Sequence, residues 1–212
     1  MGHRIEKNMH IKWLSFLFTI IVSYLINILG YHDISSIFFF VTLFFLILDL
    51  SNMEPFLKCF MVLNFVFSFL YSYYMYNNSI INFPDTFGYL SILSKMLNSS
   101  NNTLTNVMSY AGSLHIGYEY LNYFVFKIFK SEFSLYLVNI LMSKISIIFF
   151  YYHLRKRYKR NITILTTILL LMSMQLFVFT THLLKDSLIL FLSMTSLYIY
   201  EKYIEDKKIY IL

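Results

Sequence analysis

The chain has 212 residues, of which 58% are hydrophobic, 20% aromatic and only 13% charged. Soluble domains contain about 25% charged residues, so this composition excludes an ordinary soluble globular protein and indicates an integral membrane protein. Only 5 glycines and 2 prolines are present, which favours long helices over a loop-rich β fold. The formal net charge of +6 is unevenly distributed, a pattern that reports membrane topology rather than nucleic-acid binding. We therefore predict no nucleic-acid partner.

Six long apolar stretches predict transmembrane helices, because about 20 helical residues cross a bilayer core of about 30 Å. These stretches are 13–30, 34–50, 56–76, 133–152, 162–180 and 183–200. The predicted fold class is all-α. We expect one membrane domain over residues 1–212, a polytopic helix bundle with about six transmembrane helices.

Lysine and arginine concentrate on one side of this predicted path. Arg4, Lys7 and Lys12 precede the first stretch, the cluster at 153–160 joins the fourth and fifth, and further lysines follow the sixth. Because cytoplasmic segments are enriched in these residues, both termini are predicted to be cytoplasmic and the protein to be a multi-pass protein of the cytoplasmic membrane. The first stretch lacks a following small-residue cleavage site and is interpreted as a signal anchor.

The same path places residues 77–132 outside, in a long loop rich in asparagine and serine. Loops of this length in compact proteins are usually functional or disordered. The second half of the loop, 116–130, is apolar and aromatic, but it is too short and too polar to span the membrane comfortably. It predicts an interfacial or re-entrant helix.

Polar side chains recur at four-residue steps within three of the predicted spans. They are Ser15, Thr19, Ser23 and Asn27; Asn64, Ser68 and Ser72; and Asn139 and Ser143. Residues four apart share a helix face, and small polar residues are common where membrane helices pack, so we interpret these as packing faces rather than a transport path. Lys144 lies near the middle of the fourth span, where a charged side chain is energetically unfavourable. We expect it to reach the inner surface or to pair with Asp49.

Chemically useful residues gather in the segments predicted to lie outside. Asp85 follows Pro84 after the third span, a dipeptide that usually forms a turn. His115 and Glu119 lie one helical turn apart, which is a weak metal signal. No HExxH, paired cysteine or phosphate-loop motif is present, and we predict no metal and no cofactor.

The start of the last span is informative because the apolar run is short. From Ser187 to Tyr200 there are 14 residues, which give about 21 Å of helix, less than a bilayer core. The helix must therefore begin earlier, which draws Lys185 and Asp186 toward the membrane, or extend beyond Tyr200. Asp33, in the turn after the first span, is a further acidic group on this side.

The motifs Pro84-Asp85-x-x-x-Tyr89, Gly117-Tyr-Glu-Tyr-Leu121 and Leu184-Lys-Asp-Ser-Leu188 occur in this order over about residues 83–200. This arrangement resembles the bacterial O-antigen and exopolysaccharide polymerases, which are multi-span membrane proteins. The resemblance implies a glycosyltransferase that passes glycan from a polyprenyl diphosphate to another lipid-linked unit outside the cytoplasmic membrane. It implies membrane lipids, lipid-linked oligosaccharide and other polysaccharide-assembly proteins as partners.

The resemblance also suggests roles for individual residues. Asp85 or Glu119 would be the base for the attacking hydroxyl, and Lys185, oriented by Asp186, would face the departing diphosphate. The residues expected to contact substrate are Tyr89, His115, Tyr118, Tyr120 and His182.

This chain departs from that family in two ways: members usually have about ten or more spans, and they tend to carry arginines outside. Here all four arginines are predicted inside. A truncated chain, or a minimal relative without activity, is one expectation. A non-enzymatic transporter or assembly subunit, and an unrelated lipid-processing enzyme, are the alternatives. A transporter should have broken helices, and these spans have almost no glycine or proline in their interiors, which argues against a transporter.

Because the chain departs from the polymerase family and these alternatives exist, the sequence leaves open whether the protein is an enzyme.

Overall fold

The computed structural model describes residues 2–80, 84–99, 109 and 115–209, with side chains described over 12–80, 85–99, 109 and 115–205. In chain order its helices are α1 (Gly2–Ile28), α2 (His32–Leu50), α3 (Pro55–Asn77), α4 (Pro84–Asn98), α5 (Ile116–Phe129), α6 (Phe133–Arg157), α7 (Arg160–Leu171), α8 (Met174–Thr181) and α9 (Asp186–Ile209). The described ranges contain no strand. The predicted all-α membrane helix bundle is confirmed.

Three helices, α2, α3 and α6, are each long and apolar enough to cross a membrane. Helices α7 and α8 meet the same criterion only together, and Lys12–Ile28 of α1 forms a shorter apolar helix. Helix α9 begins at Asp186 and continues past Tyr200 to Ile209, so its length comes mainly from extension at its C-terminal end. The six-span path and the single domain over 1–212 remain predictions.

The segment predicted as the fifth span is broken, with a bend of 53° between α7 and α8. We expected unbroken helices because glycine and proline are lacking, and that expectation is wrong here. The freed backbone groups are satisfied in another way. Asn64 donates a hydrogen bond to the carbonyl of Leu171 at 2.7 Å. The side chain of Ser173 accepts from the backbone N–H of Leu176 at 3.4 Å and caps α8.

Helix α6 is the centre of the bundle, because it packs against α2, α3, α7, α8 and α9. In its most apolar 18-residue window, 78% of the residues are buried, against 28% for α2 and α3. Beside it, Phe44 of α2 and Phe65 of α3 stack with ring centroids 4.0 Å apart. A helix that is apolar on all sides belongs in such a position.

The polar face predicted on the first span is confirmed as a packing face. Ser23 donates to the carbonyl of Ser35 on α2 at 3.1 Å, and Ser35 donates back to the carbonyl of Ser23 at 2.8 Å. Thr19, one turn earlier, is buried and donates to the Ser15 carbonyl. Small side chains at this contact allow α1 and α2 to approach closely.

Lys144 does not pair with Asp49, and the predicted ion pair is wrong. Asp49 lies at the end of α2, where it bonds Lys12 at 2.7 Å. Lys144 lies near the middle of α6 and is 2% exposed. Its ammonium group donates to Asn64 Oδ1 and, at 3.2 Å, to Ser68 Oγ. The polar face of α3 therefore supplies neutral partners for this buried cation.

The two ends of the bundle collect different segments. The basic end contains residues 49–54, 153–160 and 201–205, joined by pairs such as Arg160 with Glu54 at 2.9 Å. The opposite end, which we call the site end, contains the turn at 29–33, residues 128–134, and the segments 85–89, 115–119 and 182–187. There Ser131 donates to Asp33 at 2.5 Å. These groups match the predicted inner and outer segments, but which end faces the cytoplasm remains a prediction.

Candidate functional site

Helix α4 brings the first predicted motif to the site end. The sequence suggested a turn at Pro84-Asp85, but Pro84 is the first residue of α4 and Asp85 lies in its first turn. Both positions suit a helix start, because proline has no N–H to leave unpaired and a carboxylate is favourable at the positive end of the helix dipole. The turn interpretation is therefore wrong. Asp85 is exposed, whereas Thr86 is buried and donates to the Leu183 carbonyl at 3.4 Å.

Aromatic contacts join α4 to α5. The ring of Tyr89 lies edge-on to the ring of Tyr118, with centroids 4.8 Å apart, and to the ring of His115 at 6.0 Å. Tyr89 is 5% exposed and Tyr118 is 3% exposed. Edge-to-face pairs of this kind stabilise packing beyond the burial of area. The first two motifs of the sequence therefore share one aromatic cluster.

Asn139 of α6 connects this cluster to the third motif. Its amide nitrogen donates to the hydroxyl of Tyr118 at 2.9 Å and to the carbonyl of His182 at 2.8 Å. The carbonyl of Leu184 lies 3.4 Å from the same nitrogen. The sequence pattern places Asn139 only on a packing face and does not indicate its place at the site. The available signal was an amide within an otherwise apolar span.

Glu119 is the most unusual group at the site. Its side chain is 0% exposed, and neither carboxyl oxygen has a hydrogen-bond partner among the described residues. Burial raises the pKa of Glu119 to about 8, because a charged carboxylate is disfavoured away from water. The group is therefore mostly protonated at neutral pH. Buried carboxyl groups with raised pKa values are frequent at functional sites.

The charged groups surround Tyr89 at the rim of the site, which is the edge of the aromatic cluster where Asp85 and Asp186 are exposed. The pKa of Tyr89 is raised to about 12, first by burial and then by the negative charges of Asp85, Glu119 and Asp186. Asp186 is exposed in the first turn of α9. Lys185 is partly buried, and its ammonium nitrogen lies 3.1 Å from Nδ1 of His115. All four predicted catalytic residues therefore belong to segments that meet around the same aromatic cluster.

The remaining predicted contacts lie further from the rim. His182 is 3% exposed, and its Nδ1 lies 2.9 Å from the carbonyl of Val178. Burial lowers the pKa of His182, which favours the neutral ring. Tyr120 stacks with Phe124 along another face of α5. The described residues include no group of three histidine, cysteine, aspartate or glutamate side chains arranged to hold a metal ion. The roles assigned to the nine site residues remain predictions.

The C-terminal part of the chain is similar to a known protein family. Residues 116–212, less than half of the chain, match the family model of dolichyl-phosphate-mannose-protein mannosyltransferases, a multi-span membrane glycosyltransferase family. The match begins at the first residue of α5 and includes Glu119, Lys185 and Asp186, but not Asp85 or Tyr89. No curated protein and no solved structure gives a significant match.

Proposed function

We propose that this protein is a membrane glycosyltransferase that moves a sugar or glycan from a lipid-phosphate carrier to an acceptor hydroxyl at the site end. The observation that carries the proposal is the convergence of acids, a cation and aromatic rings from 85–89, 115–119 and 182–186 around Tyr89. The match of residues 116–212 to a membrane glycosyltransferase family supports the same class of reaction.

Asp85 is the better candidate for the base. In the transfer, the acceptor oxygen forms a bond to the anomeric carbon, the bond from that carbon to the carrier phosphate breaks, and the acceptor proton passes to a carboxylate. A base must come within hydrogen-bond reach of that proton. Asp85 is exposed at the rim, whereas Glu119 is fully buried. We therefore give the role of base to Asp85 and assign Glu119 no contact with the acceptor.

Lys185 is the candidate for stabilising the departing phosphate. Negative charge grows on the carrier phosphate as its bond to the sugar breaks, and a positioned cation lowers the energy of that state. Lys185 lies beside His115 and next to Asp186 in sequence, so it is oriented at the rim rather than free in solution. Tyr89 and Tyr118 are buried, and a sugar would reach either ring only after α4 moved aside.

A polyprenyl-diphosphate-linked glycan extended at the outer face of the cytoplasmic membrane is the finer form of the proposal. It is supported by the three motifs that resemble polysaccharide polymerases and by the gathering of basic segments at the opposite end. Membrane lipids and lipid-linked oligosaccharide are then the partners, with other assembly proteins supplying the repeat units.

The test is glycosyl transfer by the full chain in phospholipid vesicles. Two labelled donors are compared: the lipid-linked oligosaccharide pool extracted from the source cells, and a polyprenyl-monophosphate mannose. Asp85→Asn should lower the transfer rate by about two to four powers of ten through loss of the base. Lys185→Gln should lower it about a hundredfold or more through loss of charge stabilisation. The preferred donor distinguishes a diphosphate from a monophosphate carrier.

Matched controls lie at the same end of the bundle. Glu132→Gln and Lys130→Gln change exposed groups of the same charge and should leave the rate within a factor of two or so. Transfer that survives unchanged in Asp85→Asn and in Lys185→Gln would overturn the proposed site. The absence of transfer from both donors in the wild-type protein would overturn the enzymatic function.

A transporter is the second candidate, and the break between α7 and α8 is the observation that favours it. Broken helices and buried charged groups mark the paths of many transporters. Here the Leu171 carbonyl at the break, Asn64 and Lys144 form one chain of hydrogen bonds. Movement of the labelled lipid across the vesicle, without any transfer product, would support this function. Loss of this lipid movement in Lys144→Met, with the movement retained in Asp85→Asn, would show that the transport path passes Lys144.

A further inference from the structure

A pocket at the basic end, far from the site end, has the properties of an anion site. It has a volume of about 230 Å³ and lies between the C-terminal end of α6 and the first turn of α7. Its polar lining comes from Tyr151, Arg155, Tyr158, Arg160 and Thr163, and Glu54 closes it from the α2–α3 connection. None of these residues takes part in the proposed glycosyl transfer.

The two arginines in the pocket differ in how their charge is balanced. Arg155 donates from Nη1 to the backbone carbonyl of Asn52 at 3.0 Å, which is a neutral partner. The charge of Arg155 also acts on Glu54, but more weakly than that of Arg160. Arg160 donates to both oxygens of Glu54, at 2.9 and 3.0 Å. The Arg160 side chain is 72% exposed, so water and other anions can compete for it.

The neighbouring basic residues are directed elsewhere. Arg157 bonds Glu201 at 3.1 Å, and Lys156 bonds Glu205 at 2.9 Å. Their charges are therefore matched by α9. The pocket retains two guanidinium groups against the one carboxylate of Glu54, which leaves it net positive.

The start of α7 adds a second feature that favours an anion. Helix α7 has 12 residues and begins at Arg160, and its N-cap residue Lys159 makes no side-chain capping hydrogen bond. The N–H groups of a first helical turn attract anions, and the first turn here contributes Arg160 and Thr163 to the pocket lining. Guanidinium groups beside an uncapped helix start fit a phosphate group well.

The surface of α7 indicates where that phosphate comes from. Ile162, Leu165 and Leu169 are 50%, 59% and 61% exposed, and at about 100° per residue they lie on the face of α7 opposite to the pocket residues Arg160, Thr163 and Ile164. In a membrane bundle, exposed apolar side chains in such a row contact lipid chains. The first turn of α7, and with it the pocket, therefore lies at the level where lipid head groups meet the bundle.

We propose that this pocket binds the phosphate of an anionic membrane lipid. Basic pockets between membrane helices bind acidic head groups in this way. The purified full chain is given equal amounts of phosphatidylglycerol and phosphatidylcholine in detergent, and the retained lipid is measured by native mass spectrometry. The wild-type protein should retain phosphatidylglycerol preferentially.

Variants separate this pocket from general surface charge. Arg155→Gln and Arg160→Gln should each weaken phosphatidylglycerol retention about fivefold, the effect of one basic residue near an anionic lipid. Glu54→Gln should strengthen retention, because the competing carboxylate is removed. A gain of affinity cannot arise from misfolding. Lys202→Gln, which removes an exposed cation at the same end, should change nothing.

Four outcomes decide the proposal. Equal retention of both lipids by the wild-type protein would overturn it, and so would an equal loss in Lys202→Gln and Arg155→Gln. Weaker retention in Glu54→Gln would show that the Arg160–Glu54 pair is structural and would also count against the pocket. Displacement of phosphatidylglycerol by millimolar inorganic phosphate would support the proposal, because it would show that the lipid is held through its phosphate group.

Discussion

The two ends of the bundle treat charge in opposite ways. At the basic end, Glu201 lies 3.1 Å from Arg157 and 3.9 Å from Lys156, so an acid is compensated by cations. At the site end, Glu119 is fully buried and its oxygens lack a hydrogen-bond partner among the described residues. Glu201 is only 8% exposed, and the cations beside it offset the cost of burying its charge. A buried carboxyl group without a partner is unfavourable for stability, and its presence points to function.

The largest effect concerns the orientation of the two ends, because a reporter signal is all or none. Both termini are predicted to be cytoplasmic. A reporter enzyme that is active only in the cytoplasm should therefore give signal when fused to either terminus. A stably inserted C-terminal fusion without signal would contradict an even number of spans. A fusion inserted after Ser79, at the site end, should be silent and serves as the control.

The contrast between the ends is sharpened by replacing Glu119. Its pKa is about 8 in the folded protein and 4.5 ordinarily, so between these values the folded protein retains a proton that the unfolded chain releases. The free energy of unfolding must therefore fall as pH rises through that range. Glu119→Gln should remove this dependence. It should stabilise the protein at pH 8.5 by about 4–5 kcal/mol and have little effect at pH 4.5.

The measurement for Glu119→Gln is the midpoint of thermal unfolding in detergent, at a fixed scan rate and at several pH values. Glu132→Gln, at an exposed position of the same end, should reproduce the wild-type pH profile. If the wild-type midpoint does not decline between pH 5 and pH 8.5, Glu119 is not a buried neutral acid.

A smaller effect on stability is expected from replacing Asn139, whose side-chain amide joins the second and third motifs. Asn139→Leu removes the hydrogen bonds to Tyr118 and to the His182 carbonyl. The protein should lose about 1–2 kcal/mol of stability, because buried acceptors are left without a donor while side-chain bonds in membranes are individually modest. The loss is read from thermal unfolding in detergent. Asn161→Leu, at an exposed position, is the control, and equal stability of the two variants would contradict the connecting role.

The smallest effect lies away from both ends, at the contact of α1 with α2. Ser23→Ala removes the side-chain donor to the Ser35 carbonyl but keeps the close approach of the two helices. Stability should fall by about 0.6 kcal/mol, the average for such bonds in membranes. Ser196→Ala, on an exposed face of α9, should have no measurable effect. A loss of several kcal/mol in Ser23→Ala would show that this contact is more than a packing face.

Composition and charge were sufficient to predict the membrane helix bundle, because hydrophobic length is a property of the chain alone. The packing face at Ser23 was also predictable, since residues four apart share a face of any helix. The break after Leu171 was not, because it depends on Asn64, more than a hundred residues earlier in the chain. No local pattern reveals a donor that arrives from another helix.

The site was predictable only in part for the same reason. The residues of the three motifs were visible as acids, a lysine and tyrosines in segments on one side of the membrane. Helix α4 was missed because Pro-Asp begins turns and helices alike. The partner of Lys144 was also missed, because neutral Asn64 satisfies the ammonium group where a carboxylate was expected. Partner choice inside a bundle depends on which helices are neighbours.

The bonds of Lys144 also constrain how this protein enters the membrane during synthesis. A lysine at the centre of a helix opposes insertion by about 2.5–3.5 kcal/mol. The groups that receive its hydrogen bonds, Asn64 and Ser68, lie on α3, which leaves the ribosome well before α6. We therefore expect α3 to wait beside the translocation channel until α6 emerges, so that the two helices enter the lipid as a pair.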